Sequence, residues 1–136
     1  MPTADKVRAA LEELAPTQEK VDLAVKTAIE IANPSRVFIF GSWARGEATI
    51  NSDLDLAVLF SDDRKAELGE LHTKISKELR RIPMSIDLIV ASEGYAAEFV
   101  SSVNSVYYKI LHRGRLVYDG ANRQTSSGAA YEGSRR

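Results

Sequence analysis

Gly41-Ser42-Trp43-Ala44-Arg45-Gly46-Glu47-Ala48-Thr49-Ile50-Asn51-Ser52-Asp53-Leu54-Asp55-Leu56 carries the most structural and chemical information in this chain. The apolar run Val37-Phe38-Ile39-Phe40 precedes it, short and continuous, which predicts a buried strand ending at Gly41. Residues 42–45 predict a short helical turn, residues 47–52 a polar loop and residues 54–60 a second strand. So tight a connection favours antiparallel pairing of the two strands. Side chains two apart on a strand share a face, so Leu54 and Leu56 turn to the core while Asp53 and Asp55 stand side by side on the other face. Like charges held that close raise each other's pKa, and a divalent cation relieves the repulsion. Ligands that are oxygen alone suit Mg²⁺ or Mn²⁺.

Downstream, residues 64–81 predict an amphipathic helix with Leu68, Leu71, Ile75 and Leu79 on one face, closed by Pro83. Ser85-Ile86-Asp87-Leu88-Ile89-Val90 predicts a third strand, and Asp87 is a lone carboxylate in an otherwise mostly apolar run. If that strand lies beside the Asp53–Asp55 strand, three carboxylates converge. Three carboxylates can hold two metal ions roughly 4 Å apart, an arrangement suited to displacement at phosphorus. Gly41 permits close backbone approach, Ser42 offers a hydroxyl and an amide at a strand-to-helix junction, and Arg45 suits phosphate oxygens.

Upstream, residues 5–15 show helical spacing through Val7, Ala10, Leu11 and Leu14, interrupted by Pro16. Thr17 is expected to cap a second helix running to about Ala32, with Val21, Ala24, Val25, Ala28 and Ile29 as its apolar stripe. Residues 94–111 predict one or two further helices, and residues 115–118 a short edge strand. Helices interleaved with short strands imply an α/β fold with a small mixed sheet and helices packed on it.

The whole chain has 136 residues with 44% hydrophobic, enough for one domain and one core. Eighteen basic residues against 19 acidic give a net charge of -1, with no broad electrostatic pull toward nucleic acid. Cysteine is absent, which excludes disulfides and thiolate metal sites. The first residues lack the apolar stretch of a signal peptide, and no apolar run reaches membrane-spanning length. The expectation is a soluble cytoplasmic protein without membrane contact.

The order Gly-Ser, short spacer, Asp-x-Asp and later strand Asp resembles the signature of the DNA polymerase β nucleotidyltransferase superfamily. Gly41, Ser42, Arg45, Gly46, Ser52, Asp53, Asp55 and Leu56 match the closer pattern of its minimal nucleotidyltransferases. Asn104-Ser105-Val106-Tyr107-Tyr108-Lys109-Ile110 and residues 114–118 are also similar to that group. The resemblance covers roughly residues 35–119 and implies a polymerase β-like nucleotidyltransferase fold there, the catalytic core of a domain over 1–119 that includes the N-terminal helices over 1–33; past Asp119, where Gly, Ala, Ser, Asn and Arg dominate and apolar periodicity ends, a flexible tail is expected over 120–136. The resemblance implies Asp53, Asp55 and Asp87 as catalytic metal ligands, with two Mg²⁺ ions or Mn²⁺ in their place. Gly41, Ser42, Arg45 and Ser52 would bind the nucleotide, with ATP as substrate. Asp87 would help activate the attacking hydroxyl.

Many minimal relatives resemble antitoxins paired with HEPN-domain ribonuclease toxins. The activity implied is transfer of AMP to a toxin tyrosine within a toxin–antitoxin hetero-oligomer. An aminoglycoside-like small-molecule acceptor, or neutralisation by binding alone, are the alternatives. The remaining residues have plainer expectations. Trp43 is expected to pack beside the site, His72 and His112 to lie on the surface, and Tyr107, Tyr108, Ile110 and Leu111 to serve core or interface. Arg45 has an equal claim to a surface ion pair.

Overall fold

Thr17 starts the first well-defined element as expected: its hydroxyl accepts from the Lys20 amide at 3.2 Å. The helix α1 (Gln18–Ala32) ends at Asn33, whose φ of 49° is left-handed and whose N–H reaches the Ile29 carbonyl. In this computed structural model the described residues are 3–6, 15–49 and 51–122. Most of the helix expected over residues 5–15 and most of the tail expected over 120–136 lie outside them.

Strand β1 (Arg36–Phe40) leads through Gly41 into a single turn, α2 (Ser42–Arg45), and then to β2 (Leu54–Phe60). A 3₁₀ segment (Asp62–Glu67) precedes α3 (Leu68–Leu79), followed by β3 (Ile86–Ser92). Two short helices, α4 (Glu93–Glu98) and α5 (Val106–Arg113), lead to β4 (Arg115–Asp119). A 3₁₀ turn (Gly120–Asn122) carries the chain past Asp119, with the Gly120 amide on the Ser35 carbonyl at 2.7 Å.

The expected single helix over 64–81 is a 3₁₀ segment followed by a shorter α-helix. Its start is tied down from outside: Arg64 donates to the Ala32 and Asn33 carbonyls at 2.7 and 2.9 Å, and Asp62 accepts from the Gly94 amide at 2.7 Å. These anchors hold residues 62–67 in the tighter winding, so regular helix begins only at Leu68. Residues 94–111 resolve into two helices because two serines each cap one. Ser92 accepts from the Tyr95 amide, and Ser105 from the Tyr107 amide.

The sheet order is β3-β2-β1-β4. β1 pairs antiparallel with both β2 and β4, while β2 and β3 run parallel, so the sheet is mixed. On one face, Val37, Ile39, Leu54, Leu56, Val58 and Phe60 are buried against Val21, Val25 and Ala28 of α1 and Leu71, Ile75 and Leu79 of α3. On the other, Phe38, Ala57, Leu59 and Ala91 pack under Ala96 of α4 and Ile110 of α5. Each fully buried aliphatic side chain contributes about 1.5–3 kcal/mol, so the first face supplies most of the fold's driving force. Among the described residues, no helix is long and apolar enough to cross a membrane.

Candidate active site

β1 finishes where β2 and β3 begin, and the second helical layer does not cover that end of the sheet. Asp55 sits one residue into β2, opposite Phe40 of β1 and in register with Asp87 of β3. The Leu54 amide donates to the Ser85 carbonyl at 2.9 Å, which sets this parallel register at its first step. Adjacent strands in register place their side chains on one face, so Asp55 and Asp87 are neighbours by construction. Asp53, just before β2, borders the same cleft. Asp55 is half-buried, whereas Asp53 and Asp87 are exposed.

The electrostatics follow from this crowding. Burial pushes the Asp55 carboxyl above the ordinary carboxylate range, and the charges of Asp87 and Asp53 push it further; Arg45 pulls the other way. Among the described residues, no group of three or more His, Cys, Asp or Glu side chains forms a ready-made ligand cluster. Asp55 and Asp87 are the directly paired members. Their oxygen-only chemistry and mutual repulsion fit a hard divalent cation.

Gly41 forms the opposite lip. Its φ of 71° is left-handed, and a Cβ built there would lie 2.1 Å from Oδ2 of Asp55. Only glycine lets the backbone pass so close to that carboxylate. The Gly41 carbonyl accepts from the Ala44 and Arg45 amides, which winds α2 and carries Ser42 and Arg45 to the cleft.

The cleft, of about 850 Å³, is thus bordered by Gly41, Ser42, Arg45, Asp53, Asp55 and Asp87 among the expected residues. Arg45 also makes an exposed ion pair with Glu47 at 2.7 Å, the surface pairing expected as its alternative. Ser52 is placed differently. Its hydroxyl accepts from the Thr49 amide at 2.8 Å, building the turn before β2, and it does not border the cleft. Trp43 packs against the first core instead of the cleft, with its indole Nε1 buried.

Four residues bordering the cleft, Phe40, Val106, Lys109 and Arg113, lie outside the expected set. Val106, Lys109 and Arg113 of α5 form its far wall, and the two cations were not singled out by sequence. The available signal was their spacing: positions 106, 109 and 113 fall on one helical stripe. Neighbouring Tyr107 packs edge-on to Tyr95 at 5.5 Å between ring centroids, and Phe99 joins them.

The family described as polymerase beta, nucleotidyltransferase matches residues 11–122. A crystal structure of a candidate nucleotidyltransferase from Sulfolobus solfataricus is similar in fold, with a TM-score of 0.50 and 19% identity, covering 87% of this chain and 90% of that one. At that identity the likeness speaks for the fold. No curated protein matches the sequence.

Proposed function

This chain belongs to the polymerase beta nucleotidyltransferase family, and from that premise we propose that it transfers AMP from ATP to a tyrosine of a HEPN-domain ribonuclease toxin. The carrying observation is the in-register pair of Asp55 and Asp87 facing the side-chain-free lip at Gly41. Such a cleft suits phosphoryl chemistry, where positioning and charge stabilisation do most of the work.

Asp53, Asp55 and Asp87 would hold Mg²⁺, two ions in the full site, with Mn²⁺ able to replace it. The bound ions supply charge neutralisation and Lewis-acid stabilisation of phosphate oxygens. Gly41 leaves room for phosphate against the backbone, and the Ser42 hydroxyl donates to a phosphate oxygen. Arg45 adds positive charge at the same lip. Asp87, exposed at the start of β3, accepts the proton of the attacking hydroxyl. A bond forms between that oxygen and the α-phosphorus. The bond from the α-phosphorus to the α,β-bridging oxygen breaks, its electron pair leaves with pyrophosphate, and AMP remains on the acceptor.

A protein acceptor is supported by the surface beside the cleft. Tyr95 is 49% exposed, Val100 37% and Val103 62%, and this apolar patch continues through Phe99 and Tyr107 to α5. A toxin docked there would form the hetero-oligomer that the reading requires, in the cytoplasm where ATP and Mg²⁺ are abundant. Intact-mass spectrometry of the toxin after incubation with ATP, Mg²⁺ and this protein tests the reading. Mass added in AMP steps by the parent protein, but not by Asp53→Ala/Asp55→Ala, is the expected result. An unmodified toxin that is still neutralised would overturn it.

A further inference from the structure

The α5 wall of the cleft has a charge pattern opposite to the strand ends it faces. Ile110 is fully buried, and Tyr107 and Leu111 pack beside it against the second face of the sheet. That anchoring fixes the rotation of the helix, so Val106, Lys109 and Arg113 are turned to the cleft. The ends of α5 are held as well. Ser105 caps the start, and the Gly114 amide donates to the Ile110 carbonyl at 3.0 Å.

The C-terminal end of α5 is also placed relative to the phosphate lip. A Cβ on Gly114 would lie 3.3 Å from the Ile39 carbonyl, and Arg115 pairs with Ile39 in the β1–β4 ladder. Ile39 and Phe40 run directly into Gly41 and Ser42. Arg113 therefore stands at the side of the cleft nearest Gly41–Ser42, with β2 between it and Asp87 on β3.

Neither Lys109 nor Arg113 has a carboxylate partner among the described residues, whereas Arg36, Arg45, Arg64 and Arg81 are each paired with a glutamate. Arg113 makes only a long approach to the Tyr108 ring, 6.0 Å to its centroid, which leaves its N–H donors available. Two cations with open donors, four residues apart on one helical stripe, match a polyanion that spans about one helical turn.

We propose that Lys109 and Arg113 bind the β- and γ-phosphates of the nucleoside triphosphate and hold the pyrophosphate as it departs. This rests on the nucleotidyl-transfer reading above. When the bond between the α-phosphorus and the bridging oxygen breaks, the electron pair moves onto that oxygen. The guanidinium and ammonium groups stabilise the growing charge there and transfer no proton. Pyrophosphate leaves along α5, and the acceptor hydroxyl enters from the opposite side, where Asp87 stands. The cleft thereby has a direction: leaving group toward β1 and α5, acceptor toward β3.

The test is calorimetric binding of Mg·ATP, Mg·pyrophosphate and AMP to the full chain, in parallel for parent, Lys109→Ala/Arg113→Ala and Lys109→Arg/Arg113→Lys. Both residues are exposed, so folding, checked by thermal melting, is expected to stay at the parent level. The alanine pair is expected to lose about 100-fold in affinity for Mg·ATP and Mg·pyrophosphate, roughly tenfold per charge-assisted contact. AMP affinity is expected to stay level, and the charge-preserving pair to retain most pyrophosphate affinity. Parent and alanine pair binding Mg·ATP equally would overturn the role of these cations and leave the transferase reading standing. AMP weakened as much as pyrophosphate would overturn the leaving-group assignment. A parent protein that binds neither triphosphate nor pyrophosphate would overturn the cations' role and the transferase reading together.

Discussion

The two faces of the sheet are made from the same strands but serve opposite ends. On the face toward α1 and α3, β2 presents Leu54, Leu56, Val58 and Phe60, all fully buried. On the face toward α4 and α5 it presents Asp55, Ala57 and Leu59, and the helical cover stops short of the aspartate. One face is closed by two long amphipathic helices through apolar contact. The other is covered by two short ones, and part of its attachment is polar: Arg36 and Ser35 hold Glu93, the first residue of α4, at 2.7 and 2.6 Å. Stability is concentrated where burial is complete. Chemistry is left where a charged group stays reachable, at the end of a strand whose other face is locked in the core.

If that division is right, substitutions on the two faces separate activity from stability. The largest effect is expected from Asp53→Ala/Asp55→Ala. Nucleotide transfer should fall by about 10³-fold or more, since the site loses two of its charges, while the denaturation midpoint holds or rises because crowding of like charge is relieved. Parallel assays of transfer and urea unfolding would check this; loss of folding would break the comparison. Next is Leu56→Ala, one residue along on the opposite face. It should cost about 3 kcal/mol in urea unfolding, with Mg·ATP affinity of the folded fraction unchanged.

Gly41→Ala comes third. Its Cβ would strike Oδ2 of Asp55 from a left-handed backbone position, so the lip must shift. We expect a stability loss of about 1–3 kcal/mol by thermal melting, together with impaired Mg·ATP binding. The smallest effect is Glu93→Gln. Burial pushes this carboxyl up, but hydrogen bonds from Arg36 and Ser35 and the charge of Arg36 outweigh it, leaving Glu93 below its ordinary range. A lowered folded-state value means that ionised Glu93 stabilises the fold at neutral pH. That contribution is lost as pH falls from the ordinary glutamate range through the lowered one. Glu93→Gln should therefore cost about 1 kcal/mol at pH 7, and the difference from the parent should vanish in acid, as pH-dependent unfolding would show.

The helical stripe of α1, its Thr17 cap, the strand of Leu54–Phe60 and the alternation that sends Leu54 and Asp55 to opposite faces were all legible in sequence, because each depends on neighbours a few residues away. The spacing of Gly41-Ser42 and Asp53-x-Asp55 was legible for the same reason. It lies in one strand-loop-strand unit whose local geometry leaves little choice. Boundaries set by distant anchors were not. Arg64 bonding to the end of α1 is what delays the start of α3, and no local signal in residues 62–67 reveals it.

Three features of the site were decided only in three dimensions. Asp87 becomes a neighbour of Asp55 because β3 lies parallel to β2 in one register, and a slip of one residue would have turned it to the other face. Ser52 fits the family pattern but spends its hydroxyl on the Thr49 turn. Lys109 and Arg113 look like ordinary helix-surface cations until Ile110 is buried, which fixes the rotation of α5 and turns them to the cleft. By itself the sequence determined which residue types are available for the proposed chemistry and the local geometry that presents them. Tertiary structure decided which of them meet, because strand order, register and helix rotation are set by the burial of residues far apart in the chain.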